Sequence, residues 1–168
     1  MMLKDNIILI GMPGAGKSTI GVILAKILGY KFIDSDLLIQ EQTGKLLRDI
    51  ISESGHDGFL EVEGRINTSI NTHRCVIATG GSVVYEPAAM EHLKSIGTVI
   101  YLNVPFEALS RRLSNLTARG VVLNPGQTLI DLYNERTILY QQYADITINE
   151  ENLGTEETLK LILESFGG

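Results

Sequence analysis

The chain has 168 residues, of which 44% are hydrophobic and 20% are charged. These values are ordinary for one globular domain, and they exclude a disordered chain, a collagen-like repeat and a disulfide-rich miniprotein. The formal net charge of −6 argues against nucleic acid or an anionic membrane as the main partner, and the apolar stretch at residues 7–10 is too short to span a bilayer. Cys75 is the single cysteine, so no disulfide can form within the chain and we expect a reducing, cytoplasmic environment.

Short apolar runs alternate along the chain with segments of helical period, a pattern that is typical of a parallel sheet covered by helices. The runs are apolar with little alternation, so we expect strands that are buried on both faces. A helical face over residues 20–28 follows the first run, and another over residues 159–166 follows the last. The predicted strands are residues 7–10, 30–33, 75–79, 98–104 and 146–148.

Two segments depart from this alternation. Residues 37–72 hold two helical patterns with an interruption at residues 52–58, which predicts a helical insertion beside the sheet. Residues 114–128 carry Arg119 as their only charge and contain several helix-breaking residues. A loop of that length within a compact domain is usually functional or disordered.

The most specific motif lies directly after the first predicted strand. Residues 11–18 read Gly-Met-Pro-Gly-Ala-Gly-Lys-Ser, which satisfies the Walker A pattern in full, and they open the first amphipathic helix. Glycines let successive backbone N–H groups turn inward around phosphate oxygens, and the helix N-terminus adds its positive end. Lys17 would reach the β- and γ-phosphates, and the Ser18 hydroxyl would ligate Mg²⁺. The predicted nucleotide-binding residues are Gly11, Gly14, Ala15, Gly16, Lys17, Ser18 and Thr19.

The carboxylate that accompanies this loop is not in its usual place. A GTPase would carry an Asn-Lys-X-Asp motif, which the sequence lacks, and neither the third nor the fourth predicted strand ends in the aspartate of a Walker B motif. Asp34 and Asp36 follow the second predicted strand, where side chains face the ligand crevice. One could hold metal-bound water while the other accepts the proton of a substrate hydroxyl. The structural alternative is that Asp36 caps a helix starting at Leu37 and that Asp34 is exposed.

In these features the chain resembles the shikimate kinase family, small P-loop kinases of the nucleoside monophosphate kinase type, and the resemblance spans nearly the whole chain. It implies an α/β fold of three layers, in which helices flank a five-stranded parallel sheet of order 2-3-1-4-5. It also implies one P-loop kinase domain over residues 1–168, with substrate bound by the insertion at about 37–72 and a mobile lid at about 114–128. Further matches to the family pattern are Gly80-Gly81-Ser82, Arg119, and Arg136 ahead of Leu139-Tyr140.

The resemblance implies ATP as the phosphate donor and Mg²⁺ as its metal. Ser18 and Asp34 would hold the Mg²⁺ ion. Arg112 and Arg119 would cover the nucleotide, although Arg112 has the equal alternative of an ordinary solvated helix residue. Lys17 and Arg119 would stabilise the charge on the transferred phosphoryl group.

The resemblance also assigns the acceptor side, which would take a small hydroxylated molecule. Asp36 would orient the acceptor hydroxyl and accept its proton, so that Lys17, Asp36 and Arg119 form the predicted catalytic set. Gly80 and Gly81 would contact the acceptor, and Arg136 would bind its carboxylate.

Three positions depart from the family pattern. Leu60 stands where the family has a second carboxylate-binding arginine, so Leu60 would face the acceptor. Gly120 replaces the proline of the lid motif, and Ser82 replaces a third glycine. We therefore expect ATP-dependent phosphorylation of a hydroxyl group by a cytoplasmic monomer, with shikimate as the first candidate acceptor. The open alternatives are a related kinase for a different polyol or hydroxy acid, and a catalytically impaired nucleotide-binding regulatory module.

Overall fold

A five-stranded parallel sheet organises the chain, whose computed structural model describes residues 4–113 and 125–167. The strand order is β2-β3-β1-β4-β5, and each neighbouring pair is parallel, so the predicted sheet and its order are confirmed. The predicted strand positions agree with the observed ones to within one residue at either end. The strands are β1 (Asn6–Ile10), β2 (Lys31–Asp34), β3 (Cys75–Ala78), β4 (Gly97–Asn103) and β5 (Ile146–Asn149).

Helices cover both faces of the sheet. Helices α1 and α7 pack together on one face, while α4 and α6 pack against β4 on the other. Within the described ranges, no helix has both the length and the apolar surface that crossing a bilayer requires. The helices are α1 (Lys17–Leu28), α2 (Ser35–Thr43), α3 (Leu47–Thr68), α4 (Pro87–Ile96), α5 (Phe106–Arg112), α6 (Leu129–Tyr143) and α7 (Thr155–Gly167), with a 3₁₀ turn at Val83–Tyr85.

The main core is centred on β1. Ile7, Ile8, Leu9 and Ile10 are all 0% exposed, because β3 and β4 flank the strand and helices cover it on both faces. Burying such an aliphatic side chain stabilises the fold by about 1.5–3 kcal/mol relative to leaving it exposed. The strand that leads into the Walker loop is therefore held firmly in the core.

The insertion is a pair of helices, α2 and α3, with a small core of its own. The expected interruption at residues 52–58 is present as a kink at Gly55, where φ is 72° and ψ is −174°. The sequence reading missed a second break, at Gly44, which adopts a left-handed φ of 70° and ends α2 by donating its N–H to Gln40. The buried residues of this second core are Ile39, Leu47, Ile50, Phe59 and Ile66.

Asn6 links the start of β1 to the chain before β3 and β4. Its Nδ2 donates to the carbonyls of Thr72 and Ile96, both at 2.9 Å. Its Oδ1 accepts the backbone N–H of Cys75 at 3.0 Å. Asn6→Leu would leave buried backbone groups unpaired, so we expect it to lower the free energy of unfolding in urea by about 2 kcal/mol. Asn71→Leu at an exposed site is the control, expected to change it by less than about 0.5 kcal/mol, and equal losses would contradict this role.

Candidate active site

A cleft of about 670 Å³ opens at the carboxyl ends of the strands. Parallel strands place these ends at one edge of the sheet, so loops distant in sequence meet there. The Walker loop forms one wall, the residues after β2 and β3 form another, and residues 150 and 153–155 after β5 close the third. The predicted site residues in the lining are Gly14, Ala15, Gly16, Lys17, Ser18, Thr19, Asp34, Asp36, Gly80, Gly81 and Arg112.

The Walker loop curls because three of its glycines have positive φ, and that of Gly11 is 151°. Gly14 has a φ of 82° and Gly16 has a φ of 92°, values that residues with a Cβ atom rarely adopt. Gly11 is the first residue of the loop, and a Cβ there would come within 2.8 Å of the carbonyl oxygen of Leu102. No side chain caps the N-terminus of α1, so the first N–H groups of that helix can bind an anion in the cleft.

The Lys17 ammonium group lies against the loop itself. The side chain is only 8% exposed, and Nζ donates to the carbonyls of Gly11 at 2.5 Å and Met12 at 2.9 Å. Burial lowers the pKa of Lys17 to about 8, and the charge of Asp36 opposes that shift. A cation is thus fixed at the floor of the phosphate site.

Asp34 ends β2 and bonds in two directions. Its Oδ2 accepts from the Ser18 hydroxyl at 2.6 Å. Its Oδ1 accepts the N–H groups of Asp36 at 3.0 Å and Leu37 at 3.2 Å, so Asp34 caps α2, which begins at Ser35. The alternative that Asp36 caps a helix from Leu37 is therefore wrong. The hydroxyl and the carboxylate are hard oxygen ligands that fit Mg²⁺, which commonly takes one or two protein ligands and completes its shell with water and phosphate.

Asp36 faces the turn at residues 80–82 that follows β3, which is called the glycine turn below. Its Oδ1 lies 2.6 Å from the position that a Cβ on Gly80 would occupy, so only glycine fits there. Burial and, to a lesser degree, the charge of Asp34 raise the pKa of the half-buried Asp36 to about 6, against the opposing effect of Lys17. The structure thus brings the two aspartates together but points them at different groups.

The glycine turn is held on two sides. The N–H of Gly80 donates to Ser35 Oγ at 3.2 Å, and the Tyr140 hydroxyl donates to the Gly81 carbonyl at 2.6 Å. A Cβ on Gly81 would come within 2.9 Å of Arg136 Nη1. The predicted acceptor residues of the turn and Arg136 are therefore neighbours.

Two charged side chains lie fully buried beside this turn. Arg136 in α6 is 1% exposed; its Nε donates to the Tyr85 hydroxyl at 3.4 Å, and its guanidinium lies 5.3 Å from the centre of the Tyr85 ring. Glu63 in α3 is 0% exposed, and its Oε1 accepts from the Ser82 hydroxyl at 2.6 Å. Burial raises the pKa of Glu63 to about 8, and the Ser82 hydrogen bond opposes that shift.

The remaining predicted residues have different surroundings. Arg112 donates from Nη1 to the Gly14 carbonyl at 2.9 Å, on the Walker side of the cleft. Arg119 and Gly120 lie outside the described residues. Leu60 is half-buried and packs against the small core of the insertion, so it does not line the cleft itself.

Sequence reasoning missed several polar groups of the site. Glu63 had a detectable signal, because it shares the buried helix face of Phe59 and Ile66 at spacings of four and three residues. A charged residue on such a face points to a special environment. Ser35 carried no comparable signal, since its partner lies 45 residues away in the chain. Tyr140 belongs to the family pattern, but its hydrogen bond to Gly81, 59 residues away, was not predicted.

Known proteins resemble this chain along nearly its whole length. The shikimate kinase family model matches residues 13–166. Shikimate kinase from Synechococcus sp. (strain RCC307) is 36% identical over 167 residues, which cover 97% of this chain and 85% of the relative. The structure of shikimate kinase from Acinetobacter baumannii in complex with shikimate is 37% identical, with a TM-score of 0.83 over 98% of this chain and 96% of that one. Shikimate kinase from Aquifex aeolicus is 30% identical, with a TM-score of 0.82 over 97% and 99% of the two chains. The chain belongs to the shikimate kinase family.

Proposed function

We propose that the chain transfers the γ-phosphoryl group of ATP to a hydroxyl group of shikimate, giving 3-phosphoshikimate and ADP for aromatic amino-acid biosynthesis. The observation that carries the proposal is the meeting of the Walker loop with Asp36 and the glycine turn in one cleft. The first can bind the donor phosphates and the second can present a hydroxyl group to them. The relative from Acinetobacter baumannii, whose structure is a complex with shikimate, supports this acceptor.

On the donor side, the loop N–H groups and Lys17 bind the β- and γ-phosphates of ATP. Ser18 and Asp34 would hold Mg²⁺, which would neutralise phosphate charge when bound. Arg112 lies beside the loop at Gly14 and covers the nucleotide. Phosphoryl transfer needs positioning and charge neutralisation more than covalent help from the protein, and these residues supply both.

On the acceptor side, the Asp36 carboxylate accepts the proton of the attacking hydroxyl. The new bond joins that oxygen to the γ-phosphorus while the bond to the β-phosphate oxygen breaks, and ADP leaves with the electron pair. Arg136 and the glycine turn hold the carboxylate of the acceptor, since a guanidinium beside backbone groups matches that anion. Arg119, in the proposed lid at residues 114–128, would add charge over the phosphates.

Family membership favours shikimate over a different polyol or hydroxy acid, and the presence of Lys17 and Asp36 argues against a purely regulatory module. Cys75 is buried and free, which suits a reducing compartment such as the cytoplasm. The test is ADP release from MgATP with shikimate and with a panel of other hydroxy acids and polyols. We expect release with shikimate alone; release with another acceptor only, or with none, would contradict the proposal.

Leu60→Arg tests the acceptor side. An arginine there would lie three residues from Glu63 on the same helix and could add a charge-assisted hydrogen bond to the acceptor carboxylate. Such a bond contributes about 1.5–3 kcal/mol, so we expect kcat/KM for shikimate to rise about ten- to a hundredfold, mainly through KM. Leu60→Met, which keeps the volume without charge, is the control. If Leu60→Arg gave no gain, other groups would already hold the carboxylate.

A further inference from the structure

Two buried polar atoms beside the glycine turn have no hydrogen-bond partner among the described residues: Glu63 Oε2 and Arg136 Nη2. Their residues come from α3 and α6, which both contact the 3₁₀ turn at Val83–Tyr85. A Cβ on Gly80 would lie 2.8 Å from Glu63 Oε2, and one on Gly81 would lie 2.9 Å from Arg136 Nη1. The two side chains thus approach consecutive residues of the same turn.

These two side chains do not pair with each other. The ion pairs within 4.0 Å in the described ranges are all elsewhere, between half-buried or exposed groups. Residue 60, which shares the helix with Glu63 and precedes it by one turn, is leucine and brings no cation. Glu63 is therefore a buried carboxyl group whose direct partner is the Ser82 hydroxyl.

The charged groups that face Glu63 come from four directions. Asp36 on α2 and Glu86 before α4 add to the effect of burial, and Arg136 on α6 opposes it. Lys17 on α1 lies within electrostatic range as well. The net result is a pKa of about 8, so the carboxyl group of Glu63 carries its proton at neutral pH.

The position of that proton follows from the hydrogen bonds. Oε1 already accepts from the Ser82 hydroxyl, whereas Oε2 has no partner among the described residues. A proton on Oε2 makes this atom a donor beside Gly80, a residue that lines the cleft. A buried donor without a partner is costly, so a ligand that accepts from it gains affinity.

We propose that protonated Glu63 donates a hydrogen bond from Oε2 to the carboxylate of the acceptor, while Arg136 binds the same carboxylate from the other side. The inference rests on the proposed function and adds a specificity-determining residue to it. The charges balance in this arrangement, since one guanidinium faces one carboxylate and Glu63 stays neutral. An ionised Glu63 would instead place two negative groups against a single arginine.

The affinity for the acceptor is expected to fall as the pH rises. Acceptor binding needs the proton, so affinity is complete below the pKa of free Glu63 and is lost as the pH rises above it. Above about pH 8 the dissociation constant of shikimate is expected to rise toward tenfold per pH unit. Binding at about pH 8.5 should therefore take up most of one proton per shikimate.

Titration calorimetry of shikimate into the nucleotide-free protein, in two buffers of different ionisation enthalpy, measures this uptake. Glu63→Gln keeps a donor but cannot titrate, so we expect the proton uptake to vanish while affinity at neutral pH stays within about threefold. Glu63→Ala removes the donor and should weaken binding about tenfold.

Shikimate binding without proton uptake in the unmodified protein would overturn the role of Glu63 and leave the proposed function standing. Uptake that persists in Glu63→Gln would belong to another group, such as Lys17, and would also overturn it. Absence of both shikimate binding and ADP release would instead overturn the proposed function, and the inference with it. If Glu63→Gln fails to fold, Glu63→Ala, which also cannot titrate, gives the same test of whether the proton uptake belongs to Glu63.

Discussion

Lys17→Ala is expected to lower kcat at least about a hundredfold, the scale of losing one transition-state contact. Lys17 Nζ is fixed by the carbonyls of Gly11 and Met12 at the floor of the phosphate site. Charge that develops on the transferred phosphoryl group therefore meets a cation that is already in place. Steady-state kinetics with saturating ATP and shikimate measure the effect.

The control for this variant is Lys26→Ala, which removes an exposed lysine from the same helix and should leave kcat unchanged. Because Lys17 also bonds the loop, the urea midpoint of each variant separates lost chemistry from lost structure. A loss of less than about tenfold in a folded Lys17→Ala protein would rule out a major role of this cation in the chemical step.

Asp36→Asn is expected to lower kcat about a hundredfold while the dissociation constant of MgATP changes little, since a positioned general base contributes about 10²–10⁴-fold. The Asp36 carboxylate approaches Gly80 of the glycine turn, so its loss should be felt most by the acceptor hydroxyl. The matched variant is Asp34→Asn, whose side chain bonds Ser18 and should mainly weaken MgATP binding.

Both variants are compared by kcat and by direct titration of MgATP. If Asp36→Asn weakened nucleotide binding as much as Asp34→Asn, the division of labour between the two aspartates would be wrong. The Asp34 variant keeps the cap of α2, because the asparagine Oδ1 also accepts backbone N–H groups, so its free energy of unfolding should change by less than about 0.5 kcal/mol.

Local patterns in the sequence carried most of the fold. The apolar runs give the strands because parallel strands are buried on both faces, and the Walker loop is a contiguous motif whose glycines define its conformation. The strand order was beyond such patterns and came from the family resemblance. The end of α2 was not predicted: Gly44 terminates the helix with a left-handed φ, and the spacing of apolar residues does not indicate this break.

The candidate site also contains residues that local sequence patterns predict and contacts that they do not. Asp34 and Asp36 were predicted from their place after a strand, but which of them caps α2 depends on where the helix begins, and that differed by two residues. Glu63 and Ser82 meet from elements that are 19 residues apart, and their contact depends on how α3 packs. Site residues that are contiguous in one loop can be predicted from the sequence, whereas contacts between distant segments depend on tertiary packing and cannot.

The separate core of the insertion affects which substitutions this protein can accept in evolution. The amides of β1 sit in the main core and should exchange with solvent only when the whole domain unfolds. The α2–α3 pair has five buried apolar residues of its own, although α3 also packs against α4 and the 3₁₀ turn, so the cost of exchanging one of those five falls mainly on that small unit. Leu60, where the family resemblance implies an arginine, packs against that unit. Acceptor preference can therefore drift by mutation while the phosphate-binding strand and loop keep their geometry.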